Sequence, residues 1–164
     1  MNMNKRIILV GKAGSGKDFM RKKLESRNFK YAVSYTTRPA REGEVHGRDY
    51  FFITEEQAKK MIDNYEFFEY VMFNGWLYGT TLSQWSQADG DDVFIMTPTG
   101  LSHVGEEDRK DCLVIFVDID INVRRERLMQ RDMPGDSIER RIQADEDDFH
   151  SFTNFDIRIT NPDF

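Results

Sequence analysis

The apolar positions of the chain come in short bursts, and the spacing inside each burst predicts the element. Ile7-Ile8-Leu9-Val10 is unbroken, the mark of a buried β-strand. Phe19-Met20-Arg21-Lys22-Lys23-Leu24-Glu25 predicts a helix with Phe19, Met20 and Leu24 turned inward. Tyr31 to Ser34 reads as a short strand, Tyr35 to Asp49 as a polar, arginine-bearing loop, and Tyr50 to Ile53 as a second short strand. Thr54-Glu55-Glu56-Gln57 is a capping box, and Ala58, Met61, Ile62 and Tyr65 then fall at i, i+3, i+4 and i+7, so a helix is expected there.

The aromatic run Glu66 to Phe73 predicts a strand, turned by Asn74-Gly75 into Trp76-Leu77-Tyr78. Leu82, Trp85 and Ala88 line one face of a further helix. Val93 to Met96 and Cys112 to Ile119 are continuous apolar runs, as in strands covered on both faces. Asn122 is the expected cap of a basic helix reaching Arg131. Asp136-Ser137-Ile138-Glu139 reads as a second capping box, with Ile138, Ile142 and Phe149 inward, and Asp156 to Thr160 as a closing strand.

Strands interleaved with helices predict an α/β fold with a mainly parallel core sheet flanked by helices. The expected organisation is one domain over 1–164, with a core of 1–33 and 85–164 and an inserted β-rich lobe of about 34–84. There is no internal repeat and no long linker.

Composition narrows the partners. With 164 residues and thirteen Phe, the chain can bury a substantial core. A net charge of −6 argues against general nucleic-acid or anionic-membrane binding, which needs a positive field. Any anionic ligand must be met by a local basic cluster. The single cysteine, Cys112, excludes an internal disulfide, and Met1 to Arg6 runs into the first strand without a secretory leader. The expectation is a cytoplasmic protein. His46, His103 and His150 are scattered without metal-ligand spacing and receive no role.

Chemistry enters at Gly11-Lys12-Ala13-Gly14-Ser15-Gly16-Lys17-Asp18, set between a strand and a helix. Glycines there let successive N–H groups point at one anion, and the helix N-terminus adds its partial positive charge. This is the context of a phosphate-binding loop, with Lys17 the charge that follows the β- or γ-phosphate. The pattern expects Ser or Thr after the lysine as a Mg²⁺ ligand. Asp18 stands there instead, and a carboxylate is itself a good hard ligand. The ATP-binding set is Gly11, Ala13, Gly14, Ser15, Gly16, Lys17 and Asp18, with Asp18 on the metal.

The stretch Ser34-Tyr35-Thr36-Thr37-Arg38-Pro39-Ala40-Arg41-Glu42-Gly43-Glu44-Val45-His46-Gly47-Arg48-Asp49-Tyr50-Phe51-Phe52 resembles the signature of guanylate kinases. The similarity continues through Glu66 to Tyr70 and Tyr78-Gly79-Thr80-Thr81, and more weakly at Arg127-Leu128, Arg131, Arg140-Arg141 and Ile159-Thr160-Asn161. The resemblance implies a P-loop nucleoside monophosphate kinase fold with a helical lid at about 124–145. It implies that Arg38, Arg41, Tyr50 and Tyr78 hold the acceptor phosphate, and that Ser34, Glu69 and Thr80 read guanine, Thr80 replacing the usual Ser. Arg131 and Arg141 match lid arginines, Arg127 more weakly, and Asn161 lies where the family contacts adenine. Arg124 and Arg125 read as a solvated helix face.

Two arginines three residues apart on a loop can converge on one dianionic phosphate; taken alone they read as solvated loop charges, and beside the phosphate loop and the resemblance as a phosphate site. Glu69 inside an aromatic run reads as a pocket carboxylate. The chain departs from the family at Phe94 to Gly100, where an Asp-x-Asp pair is usual and no carboxylate stands, which bears on base selectivity. It also stops at Phe164, short of the family's usual closing helix.

The implied activity is transfer of the γ-phosphoryl of ATP, with Mg²⁺, to GMP or dGMP by a monomer or weak homodimer. The groups expected to stabilise the transfer are Lys17, Arg38, Arg131 and Arg141. Two alternatives remain open. The Lys17-Asp18 ending and the missing pair are similar to ribose 1,5-bisphosphate phosphokinases, and the family also has non-catalytic interaction modules, which typically lack a working phosphate loop.

Overall fold

The backbone of Arg6–Gly11 (β1) runs through the middle of the protein, and Ile8, Leu9 and Val10 on it are wholly buried. The structure, a computed structural model, describes residues 6–88, 91–131 and 136–164. Residues 1–5, where a leader was sought, and 132–135 of the expected lid lie outside the described residues.

From β1 the chain passes to α1 (Lys17–Glu25), β2 (Lys30–Tyr31), β3 (Tyr35–Thr36), β4 (Phe51–Phe52) and α2 (Glu55–Asp63). Next come β5 (Phe67–Phe73), β6 (Trp76–Thr81), α3 (Leu82–Gln87) and β7 (Asp92–Ile95). Two short helices, α4 (Pro98–Ser102) and α5 (Glu106–Lys110), precede β8 (Cys112–Val117). Then follow α6 (Ile121–Met129), α7 (Ile138–Asp148) and β9 (Ile157–Ile159).

Two sheets result. The first has five strands in the order β2-β7-β1-β8-β9, and every pair in it is parallel. Its unbroken apolar strands divide their side chains between two covered faces. Ile8 and Val10 pack with Trp85, Phe94 and Val114 on one side, whereas Ile7 and Leu9 meet Met20 and Leu24 of α1 on the other. The second sheet has the order β4-β3-β6-β5, with β3–β4 parallel and the other pairs antiparallel. The Asn74-Gly75 turn joins β5 to β6 with both residues at positive φ, as a tight hairpin requires. Among the described residues no helix is long and apolar enough to cross a membrane.

Several local expectations are corrected. Phe19 points outward at 57% exposure towards Phe164, and Arg21 is buried in its place at 2%, because carboxylates on neighbouring elements wait for it. The stretch read as loop contains β3, and the strand expected over Tyr31 to Ser34 is only the Lys30–Tyr31 pair. Tyr65 lies past the end of α2 with φ +54° and is 85% exposed. Leu82, expected on the buried face of α3, is half-exposed.

Asp120 caps α6 by accepting the Asn122 N–H, so Asn122 is not the cap, and the helix stops at Met129. Ser137 caps α7 alone, because the residue three on is Arg140, which cannot reciprocate as Glu or Gln would. The box at Thr54 forms as expected.

Candidate active site

The phosphate loop leaves the C-terminal end of β1, the end at which parallel sheets bind ligands. Gly14 and Gly16 have φ of +76° and +93°, and Gly16 is the N-cap of α1, so the loop curls onto the helix N-terminus. Lys17 opens that helix. Burial lowers its pKa to about 8, with Arg131 and Arg141 adding to the effect and Asp18 and Asp145 opposing it.

Three residues grip this loop from behind: Asp145 and Arg124, which the sequence did not single out as functional groups, and Arg127, expected more weakly as a lid arginine. Asp145 Oδ2 accepts the Ala13 N–H at 3.0 Å, and Arg124 lies 3.8 Å from the same carboxylate. Arg124 also donates to the Ile119 carbonyl at 2.9 Å, so it is a buried clamp and not a solvated charge. Arg127 donates to the carbonyls of Gly14 at 3.1 Å and Pro162 at 3.0 Å. A signal was present: Asp145 follows Arg141 by four residues and Ile142 by three, on the inward stripe of α7. Arg124 shares its stripe of α6 with buried Leu128.

Opposite the loop, Arg38 forks onto Glu44 at 2.8 and 3.0 Å and faces the Tyr50 ring at 5.2 Å. Burial opposes its charge, but the Glu44 fork outweighs this and holds the guanidinium above the ordinary arginine range. Among the described residues Arg41 has no such fork. Burial, then Arg38, Arg141 and Arg131, bring its pKa down to about 10. Arg131 is also lowered, by burial and by Arg141 and Arg38, against the pull of Asp18 and Glu44. Arg141 lies 3.4 Å from Asp136 and faces the rings of Trp76 and Phe73 at 5.8 and 6.0 Å. Arg41 and Arg131, each disfavoured as cations by burial and by neighbouring guanidiniums, favour the arrival of a polyanion.

Glu69 is aimed by an irregularity in its strand. The β5–β6 register slips between Phe67 and Glu69, and Phe68 beside it stacks on Trp85 at 4.3 Å. Such a bulge re-aims the next side chain. Burial raises the Glu69 pKa to about 7, although Thr80 donates to it from both hydroxyl and backbone. Across from it stands Gly100, where a Cβ would come within 2.5 Å of Glu69 Oε2.

One open cleft is lined by these groups. Its wall carries Gly11, Ala13 to Asp18, Ser34, Arg38, Arg41, Tyr50, Glu69, Tyr78, Arg131 and Arg141. Of the residues picked out as binding or transfer groups, Thr80, Arg127 and Asn161 are not on the wall; Thr80 is buried and pairs with Glu69 across β5–β6, Arg127 is turned to the Gly14 carbonyl, and Asn161 is exposed. The wall also holds Thr97, Asp145 and Asp148, with Asp145 on helix α7 rather than on the strand where the sequence lacks carboxylates.

Asp18 Oδ1 is buried with no hydrogen-bond partner among the described residues, and its near cation is Arg21 Nη2 at 3.8 Å. A carboxylate at the phosphate loop is a hard oxygen donor of the kind a divalent cation takes together with substrate phosphates. Among the described residues no three His, Cys, Asp or Glu side chains gather to hold a metal by themselves.

Comparison with known proteins agrees with this geometry. A family model described as Guanylate kinase matches residues 3–164. The guanylate kinase of Lactococcus lactis subsp. lactis (strain IL1403) is 32% identical over 161 residues, covering 94% of this chain and 78% of its own. That of Onion yellows phytoplasma (strain OY-M) is 33% identical over 172 residues, covering 98% and 81%. Among solved structures, the guanylate kinase from Anaplasma phagocytophilum shares the fold with a TM-score of 0.73, over 97% of this chain and 78% of its own, at 23% identity.

Proposed function

The chain belongs to the guanylate kinase family, and from that premise we propose that it transfers the γ-phosphoryl of ATP to the phosphate of GMP or dGMP, giving ADP and GDP or dGDP. The observation that carries the reading is the convergence of Lys17, Arg38, Arg41, Arg131 and Arg141 on one cleft that also presents a buried carboxylate, Glu69. In the proposal the phosphate loop cradles the ATP phosphates, and Arg131 with Arg141 covers them from the α6–α7 lid. Arg38, Arg41, Tyr50 and Tyr78 hold the acceptor phosphate. Glu69, with Ser34 beside it and Thr80 behind it, reads guanine.

The acceptor phosphate is already an anion, so no general base is required. The protein's task is to place donor and acceptor in line and neutralise the charge that spreads over the moving phosphoryl group. Lys17 and Arg41, which has no carboxylate partner within ion-pair distance among the described residues, are suited to that, since both gain from a nearby anion. Mg²⁺ bound at Asp18 would supply further neutralisation of the phosphate oxygens. The nucleotide substrates point to the cytoplasm.

The test is a coupled ATP-consumption assay across the nucleoside monophosphates and ribose 1,5-bisphosphate. The highest kcat/KM is expected with GMP or dGMP. Faster turnover of the sugar phosphate would overturn the guanine assignment.

Asp18 supplies a separate expectation. Asp18→Ala should weaken Mg·ATP binding by roughly tenfold or more, the scale on which even outer partners of a metal act, and Asp18→Ser should be milder. Calorimetric titration with Mg·ATP checks this. Identical curves for Asp18→Ala and wild type would assign the carboxylate to the first turn of α1 instead.

A further inference from the structure

Arg21 is one turn beyond Lys17 on α1, is 2% exposed, and is not on the cleft wall. Its Nη2 donates to Asp49 Oδ1 at 2.9 Å and its Nη1 to Glu25 Oε2 at 2.9 Å, and Asp18 Oδ1 lies 3.8 Å away. Its guanidinium faces the Tyr31 ring at 4.5 Å. The Tyr31 hydroxyl donates to the Asp49 carbonyl at 3.0 Å and accepts the Ser34 N–H at 3.5 Å. The second Asp49 oxygen accepts from the Val45 backbone at 2.8 Å and from the Arg48 guanidinium at 3.0 and 2.8 Å.

These contacts join the helix that carries Lys17 to the loop that carries the acceptor site. Asp49 immediately precedes Tyr50, on whose ring Arg38 rests, and Tyr31 reaches Ser34. One guanidinium shared among three carboxylates is not a device for stability. A well-packed apolar side chain at such a position is commonly as stabilising, because removing charges from water costs about what their pairing returns. What the planar guanidinium adds, with Glu25 on one terminal nitrogen and Asp49 on the other, is a fixed direction and distance between helix and loop.

We propose that Arg21 is a positioning residue for phosphoryl transfer: it ties the acceptor loop to the phosphate-loop helix, and so sets the separation between acceptor phosphate and donor γ-phosphate. It touches neither nucleotide. The inference rests on the function proposed above for what is transferred, whereas the tie itself does not.

Misplacement of reacting groups by about 1 Å can cost on the order of 10²-fold in rate. Arg21→Lys keeps the charge and loses the fork, and Asp49→Asn removes the charge at the other end. Both variants should lower kcat by roughly 10- to 100-fold, while calorimetric Kd values for ATP and GMP stay within about threefold. The double variant should lose no more than the worse single one, since the two residues act as one unit. In the free protein, the Val45 and Asp49 amides should exchange roughly tenfold faster in Arg21→Lys, because the loop they close has lost its anchor.

An unchanged kcat, losses that multiply in the double variant, a defect confined to the GMP Kd, or unchanged amide exchange would each overturn the proposal. A wild type that does not phosphorylate GMP would count against the guanine assignment alone. The exchange comparison needs no nucleotide and still decides the tie.

Discussion

Lys17→Ala is expected to lower kcat by at least two to three powers of ten, roughly the scale for removing one donor from developing charge in a desolvated site. The fold should survive, since the loop is held from behind by Asp145, Arg124 and Arg127 and not by the lysine. Thermal unfolding and the coupled assay on the same preparation separate the two effects. Undiminished turnover would remove the kinase reading and favour a binding module.

The pH dependence carries the same residue's signature. With a pKa near 8 in the free enzyme, Lys17 loses its charge as pH rises through that value, so kcat/KM should fall on the alkaline side. Bound phosphates favour the ammonium form, so the alkaline limb of kcat should lie higher than that of kcat/KM.

Glu69→Gln is expected to remove most of the preference for GMP over AMP. Guanine presents two adjacent donors, N1–H and the exocyclic amine, which one carboxylate accepts together. Adenine offers a lone pair at the corresponding ring nitrogen, which leaves the carboxylate facing an acceptor. Sites built to pair a specific polar group reject the analogue lacking it by on the order of 10⁴ when fully formed. A smaller ratio is expected here, because no carboxylate stands between Phe94 and Gly100 to support the contact.

Only ionised Glu69 accepts both donors, and its pKa is raised to about 7. Wild-type kcat/KM for GMP should therefore fall as pH drops through about 7. The variant should lose that limb, leaving only the phosphate's own titration near 6. Measuring kcat/KM for GMP, dGMP and AMP across pH in both proteins checks both statements. Equal wild-type rates on AMP and GMP would mean that Glu69 does not read guanine.

The features legible in the sequence were those in which neighbouring residues act together. The strand, glycine loop and helix at Ile7 to Glu25 were legible as such, and the unbroken runs at Val93 and Cys112 announced a buried parallel sheet. Glu69 stood out as an acid in an aromatic run. The misses involve residues whose meaning depends on a distant partner. Nothing near Arg21 in sequence reveals Asp49, and nothing near Arg124 reveals Asp145, so both arginines look like ordinary helix-face charges until the fold pairs them. Asp145 is hidden in the run Asp145-Glu146-Asp147-Asp148, where only the helical phase separates the buried acid from its exposed neighbour Glu146. Helix ends were misplaced for a related reason: Asp120 and Asn122 are both acceptable caps, and the exit path of β8 decides between them.

Gly100 sets the aim of Glu69 by having no side chain. Its Cα approaches so closely that an added methyl would overlap the Glu69 carboxylate oxygen and crowd Thr97 Oγ1. A side chain at position 100 and the present direction of that carboxylate therefore exclude each other: the end of Glu69 would have to swing away to make room. A residue with no functional group of its own thus fixes where the acid in the cleft points.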